Sequence, residues 1–339
     1  MRVTHKMIAD ATGFTQSTVS KALASSGRIS EETTAIIRRA ANEMGYYSQN
    51  RQKLRKSENH LFPQIAILVP EITSWYYANI ITKLQAQIEW LGGSVCIFIT
   101  GFESSNITVH MDHVNRQNLF DGIIALEAVP EKTVEDIPVM EMCSKFPEKE
   151  HPRLYSFLLD YGIRQAVEHL AALGHQEIGF IGEKNTTAKL DEFRDTMLQL
   201  DISLAESHVY TSAYRFERIG HDGIRAFHIR GSMPTGILCA YDEVAFGAIE
   251  ELEKFGYRVP EDVSVIGINN VDYCAYCKPP LTTMQGNIDT MVEKMVEVIQ
   301  AVLLEEKPCP HRYTITSTLV VRKSTAPCAA IQNIGGKTI

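Results

Sequence analysis

Three groups of side chains in this sequence could carry chemistry. Near the start, Gln16, Ser17 and Lys21 fall within one short stretch. A glutamine can pair bidentately with adenine, a lysine donates to guanine O6 and N7, and a serine can serve either role. The second group is Cys274-Ala275-Tyr276-Cys277, the spacing of a redox pair or of half a zinc site. No second pair and no His-x-x-His completes a metal site; Cys309 and His311 lie in a different segment. Small packing residues are the simpler reading of the pair. The third group is the eleven histidines, which are dispersed. The chain has no Gly-rich phosphate loop followed by Lys-Ser/Thr, no Gly-x-Ser-x-Gly and no His-Glu-x-x-His, so an enzyme is not expected, nor a cofactor or metal.

The first group must be positioned by helices. Thr4 is a plausible N-cap, with Ile8 and Ala11 on one face of a helix that Gly13 ends. Thr15 caps a second helix whose inner face is Val19, Ala22 and Leu23. Ser30 caps a third, with Glu31 and Glu32 in the first turn, where the helix dipole favours acids. Its inward residues are Ile36, Ile37, Ala40, Ala41 and Met44. The two-residue joint Gly13-Phe14 leaves no room for a long loop, which is the helix-turn-helix pattern. Residues 48–62 are polar and basic, with one apolar residue, Leu54, among the charges, and read as a linker.

Charge supports a polyanion contact at this end. Residues 1–60 hold ten Lys/Arg and five Asp/Glu, a net +5, while the whole chain carries −8 and the remainder therefore −13. A basic head on an acidic body confines such a contact to one end. From Gln64 onward short apolar runs alternate with amphipathic stretches: Ile65–Val69, Val95–Ile99, Gly122–Leu126, Ile178–Ile181, Gly236–Ala240 and Val263–Gly267 as strands, Ala78–Leu91, Ile163–Leu173, Glu243–Phe255 and Thr290–Leu304 as helices. This alternation predicts an α/β body of parallel sheets covered on both faces. About 265 residues of it exceed one comfortable doubly wound domain, so two lobes are expected. No apolar run approaches the ~20 residues of a membrane span. The start has no apolar signal core behind its positive charges, and seven scattered cysteines suit a reducing compartment, so a cytoplasmic protein is expected.

The run from Ile8 to Leu23, with Arg28-Ile29-Ser30-Glu31-Glu32-Thr33 and Ala40–Tyr46, closely resembles the headpiece of the LacI/GalR family of bacterial transcriptional regulators. Further matching stretches are Leu173-Gly174-His175, Ala240-Tyr241-Asp242, Val259–Gly267, Pro279–Thr283 and Leu319–Ser324, so the resemblance spans roughly residues 3–328. It implies an all-α helix-turn-helix headpiece at 1–47 and a hinge at 48–62. It also implies a two-lobed, periplasmic-binding-protein-like (type I) α/β core at 63–328, with 329–339 as a tail. The lobes would be 63–158 plus 288–316 and 159–287 plus 317–328. His169 and His175 fall in the family's helix and turn, where a structural role is expected.

The resemblance also implies roles. Gln16, Ser17 and Lys21 match base-reading positions of a helix lying in the major groove, with Thr18 beside them. Thr4, Thr15, Ser20, Arg28 and Tyr46 match positions that hold the phosphate backbone. Thr15 also has a plain capping role. In the family a hinge helix wedges a leucine into the minor groove. Here Arg55 stands at that place and Leu54 one residue early, next to Lys53, so either the hinge is shifted or Leu54 packs on the body. The implied partners are double-stranded operator DNA, a second copy of the chain in a homodimer, and a small-molecule effector between the lobes. For the effector pocket, Lys189 stands where an arginine is usual, Tyr241 where an asparagine is, and Asn269 where an aspartate is. Trp75 and Tyr76 line the opposite lobe, and Leu158-Leu159 replace a usual Asp-Asn. Aromatics in place of carboxylates favour a ligand with an apolar or planar face over a neutral monosaccharide, and Lys189 leaves room for an anionic group. The alternatives are a docking protein partner on the first lobe, a body that only dimerises, and a cysteine-based redox or metal response.

Overall fold

A computed structural model describes residues 3–23, 30–44, 63–117, 119–304 and 309–328. The N-terminal unit is three helices, α1 (His5–Thr12), α2 (Gln16–Leu23) and α3 (Glu31–Glu43). Each starts at an expected cap. Thr4 Oγ1 accepts from Met7 N, Thr15 Oγ1 from Thr18 N and Ser30 Oγ from Thr33 N, which satisfies one of the free N–H groups of each first turn. Gly13 closes α1 in the left-handed conformation at φ 72°, which costs a glycine nothing. The small core is Val3, Ile8, Ala9, Val19, Ala22, Ile37 and Ala41. Two inward residues expected from spacing lie elsewhere: Ala11 is exposed, Ala9 taking its place beside Ile8, and Ile36 is exposed while Ile37 is buried. A helix turn this short offers its partners one narrow stripe, and 3.6-residue periodicity does not say which neighbouring position lies at its centre.

The body holds two six-stranded sheets. The first comprises β1 (Gln64–Val69), β2 (Ser94–Ile99), β3 (Gly122–Ala125), β4 (Val139–Cys143), β5 (Leu154–Leu159) and β11 (Arg312–Ile315), in the order β11-β5-β4-β3-β1-β2. All its pairings are parallel. The second comprises β6 (Ile178–Glu183), β7 (Val209–Ser212), β8 (Gly236–Cys239), β9 (Ser264–Ile268), β10 (Thr282–Gly286) and β12 (Ser317–Val320). Its order is β12-β10-β9-β8-β6-β7, with β12 antiparallel to β10. β1 shows why its apolar run is continuous. Ile65, Ile67 and Val69 enter the core under α4 (Trp75–Trp90) and α10 (Ile288–Leu303), whereas Ala66 and Leu68 enter the core under α5 (Ser104–Gln117). A strand buried on both faces has no polar side to alternate with.

α6 (Ile163–Ala172), α7 (Thr187–Gln199), α8 (Glu217–Ile229) and α9 (Asp242–Lys254) cover the second sheet. Strands β4, β5, β7, β10, β11 and β12 lie outside the apolar runs read as strands. α8 carries Gly220 and α9 Gly247: a Cβ at Gly220 would meet Val244 O at 2.1 Å and one at Gly247 would meet Glu217 O at 2.0 Å. The glycines let α8 and α9 pack backbone to backbone, a tertiary demand that overrides local propensity. Asp121 ties β3 to β1: its Oδ2 accepts from Gln64 N at 3.0 Å, and Gly122 begins β3.

The chain passes between the sheets after β5, before α10 and between β11 and β12. Leu159, at the end of β5, is still laddered to Ile315. Two passages are bound together: Ser317 Oγ donates to Asp160 O, and Gln165 Nε2 donates to Ser317 O at 3.0 Å. Among the described residues no helix is long and apolar enough to cross a membrane.

Candidate functional site

On α2, Val19 and Ala22 face the core, leaving Gln16, Ser17, Ser20 and Lys21 exposed. Thr15 is exposed as well, and its hydroxyl lies 2.9 Å from that of half-buried Thr18. Thr4 is exposed at the start of α1. The outer face of α2 therefore presents donors and acceptors of the kinds that read base edges, on a helix locked at its N-terminus by a cap. Arg28, Tyr46, Lys53 and Leu54 lie outside the described residues.

Between the two sheets lies a cavity of about 250 Å³. Tyr76, Lys189, Tyr241 and Asn269 line it, as expected, and so does Leu159. Trp75 does not line it. Its ring packs against the core of the second sheet although it belongs to the first helix of the other lobe. Ser74 caps α4 through Tyr77 N, and this start of the helix sends successive side chains in different directions, Tyr76 and Tyr77 into the cavity and Trp75 across to the neighbouring lobe.

Lys189 does not reach out as the resemblance implied. It is only 9% exposed; its Nζ donates to Ala240 O at 2.7 Å and sits 4.6 Å over the Tyr161 ring. Burial pushes its pKa down to about 8, against the pull of Asp242, Glu183, Glu243 and Glu192. The lysine spends its charge inside the second lobe because β8 ends with its carbonyl aimed at α7, within reach of a long side chain.

Sequence reasoning missed the residue that joins the lobes. Arg215, between β7 and α8, places Nη1 2.6 Å from Glu71 of the first lobe and Nε 3.0 Å from Glu183 of the second. Its guanidinium also lies 4.7 Å from the centre of the Phe102 ring and 4.8 Å from that of Phe216. Burial works against the charge, but the two carboxylates outweigh it and raise the arginine's pKa. Glu183 is 3% exposed, and burial raises its carboxyl despite Arg215. Phe102, Phe216 and Asn269 hold φ values of 63°, 63° and 109°, a conformation that costs a non-glycine residue of order 1–3 kcal/mol and gathers at functional sites. Phe216 is held by its N–H donating to Tyr241 Oη at 2.8 Å. A signal existed in Tyr214-Arg215-Phe216, a cation between two rings, but its partners lie on distant segments.

Residues 4–49 match the bacterial regulatory proteins of the lacI family, and residues 167–325 match a periplasmic binding protein-like domain. The chain is 26% identical over 342 residues to the HTH-type transcriptional regulator DegA of Bacillus subtilis, covering 96% of this chain and 99% of DegA. It is 27% identical over 278 residues to the HTH-type transcriptional repressor CytR of Escherichia coli, covering 79% and 80% of the two chains. A solved lac repressor dimer bound to operator and an anti-inducer has the same fold, with a TM-score of 0.69 at 20% identity over 96% of this chain and all of the other. The chain joins a lacI-family DNA-binding region to a periplasmic binding protein-like domain. It is a DNA-binding transcriptional regulator, and the family's members are regulators rather than enzymes.

The Cys274/Cys277 pair and the histidines His169 and His175 are engaged within the second lobe. Cys277 Sγ donates to Pro279 O at 3.1 Å, and burial raises both Cys274 and Cys277 thiols. Cys274 bonds to Asp242, which also accepts from Thr283 Oγ1 and Val271 N. Protonated, buried thiols are poor nucleophiles and poor ligands, and no cluster of three metal-ligating side chains occurs among the described residues. His175 is buried between Thr235 Oγ1 and Ala326 O, and His169 lies against Thr325 Oγ1, which is the packing role expected of them.

Proposed function

We propose that the chain is a repressor acting as a homodimer on a near-palindromic operator, with its affinity set by a small molecule in the interlobe cavity. In this reading α2 lies in the major groove. Gln16, Ser17 and Lys21 read bases with Thr18 beside them, and Thr4, Thr15, Ser20, Arg28 and Tyr46 hold phosphates. Lys53 and Leu54 engage the minor groove through the hinge. The observation that carries the reading is the exposed polar face of a capped α2 whose other face is wholly packed. The cavity supports the second half, because Tyr76 from one lobe and Lys189, Tyr241 and Asn269 from the other meet there. A ligand that prefers one lobe arrangement then biases the headpieces joined to the lobes. Trp75 enters as a reporter of that arrangement rather than as a ligand contact.

The test is binding to single-base operator variants at fixed salt. Lys21→Ala and Gln16→Ala are each expected to cost about 1–3 kcal/mol at one base pair per half-site, and Arg28→Ala to weaken all sequences alike. Unchanged base preference in both α2 variants removes the recognition helix.

A further inference from the structure

We infer that the cavity takes an organic cation with a flat or apolar body, its ammonium or guanidinium group compensating the Glu127 and Glu243 carboxylates. This deepens the effector reading and rests on it. The charge expected near Lys189 is thereby reversed.

The cations of the cavity are already committed. Lys189 donates to a backbone carbonyl and is ringed by acids, and Arg215 is divided between Glu71 and Glu183. An entering carboxylate or phosphate finds neither of them uncommitted. The acids, by contrast, are in surplus. Glu127, Glu183 and Glu243 all line the cavity. Glu183 has Arg215, and Glu127 has only the Thr100 hydroxyl. Glu243 Oε2 is buried without a hydrogen-bond partner. One of the two undercompensated acids comes from each lobe, since Glu127 follows β3 and Glu243 opens α9. A buried carboxylate oxygen left without a donor is costly, and a cation that reaches it recovers that cost.

The walls add attraction of the same sign. Tyr76, Tyr77, Phe102, Tyr161, Phe216 and Tyr241 all line the cavity, and ring faces attract cations. The cavity already treats one cation in this way: the Arg215 guanidinium lies against two rings and between two carboxylates. Burial raises the Glu127 and Glu243 carboxyls, so a bound cation would also draw them back toward the ionised form. About 250 Å³ suits a small ligand, just below the roughly 300–1,000 Å³ of common ligand sites.

Tyramine, tyrosol and 4-hydroxyphenylacetate present one phenol ring with a positive, neutral or negative head. Titrated calorimetrically against the full chain, tyramine is expected to bind at least about tenfold more tightly than tyrosol, and the acid not measurably. Glu243→Gln should bring tyramine down to the affinity of tyrosol while leaving tyrosol unchanged. The melting temperature without any probe should change little, since Glu243 Oε2 has no donor to lose while its charge offsets those of Lys189 and Arg215. Glu127→Gln provides the same comparison from the other wall. The inference is overturned if tyramine fails to bind, if the acid binds as well, or if the preference survives both substitutions. If sugars or nucleosides then bind and shift operator affinity, the effector reading stands and only the charge is wrong. If nothing from such a screen binds, the effector reading falls with it.

Discussion

The headpiece and the cavity carry their chemistry in opposite ways. In the headpiece the polar residues stand outside a seven-residue core, each on a helix started by its own neighbouring cap. In the cavity the charged residues are buried or half-buried, and Lys189, Arg215 and Glu183 find their partners on distant segments. A local arrangement can be exposed and still be precise in position, because capping fixes it. A non-local one is precise only when both sheets have folded and met. The first kind of site survives changes in the body; the second reports on them.

The largest expected effect breaks the headpiece alone. Ile37 is fully buried in its core, and Ile37→Ala should cost about 2–5 kcal/mol. A unit this small has little stability to spare, so operator binding should vanish while the body's thermal transition stays where it was. A matching fall in the body's transition would mean that the two regions are one cooperative unit.

Next in size is a pH effect on the body. The Lys189 pKa in the folded chain is about 8, below its ordinary value of 10.5. Between those two values the unfolded chain holds a proton that the folded chain has released, so this residue makes stability rise with pH across that window. Below about pH 8 its full cost is present. Lys189→Met should remove that slope and stabilise the body at pH 7 by about 1–3 kcal/mol, less whatever its bond to Ala240 contributed. Denaturation of both proteins at pH 7, 8, 9 and 10 checks it; parallel curves would show that the lysine is not held against its charge.

What could be read from the sequence follows the same division. Thr4, Gly13, Thr15 and Ser30 announce helix ends by local chemistry, and all four act as caps in the fold. The apolar runs of β1, β3, β6, β8 and β9 were equally plain, because both faces of those strands are buried. β11 and β12 are short and partly exposed, with no such run. α8 hides behind two glycines, Gly220 explained only by its packing on α9 and Gly223 by the approach of Ile181 from β6. Of the cavity, the positions matched by resemblance were found, except that Trp75 points elsewhere. Arg215, Glu71 and Glu183 were not, since nothing local links them. Lys189 lines the cavity, but its hydrogen-bond partner is a backbone carbonyl that leaves no mark in the sequence.

The smallest expected effect is spectroscopic. Trp90 is 85% exposed and Trp75 packs across the lobe boundary. In a Trp90→Phe background, Arg215→Leu should release Glu71 from Glu183 and shift Trp75 emission, with a modest change in stability. If emission is unmoved, the lobes do not depend on Arg215 for their mutual position.

The central claim, that α2 reads a two-fold symmetric site, is tested most directly by selecting bound sequences from random double-stranded DNA. Wild type and Lys21→Ala should be compared at one salt concentration. Wild type is expected to enrich a near-palindrome, and Lys21→Ala to lose preference at one base pair in each half-site while keeping the rest. Enrichment of no symmetric sequence, or identical preferences in the two proteins, would contradict it.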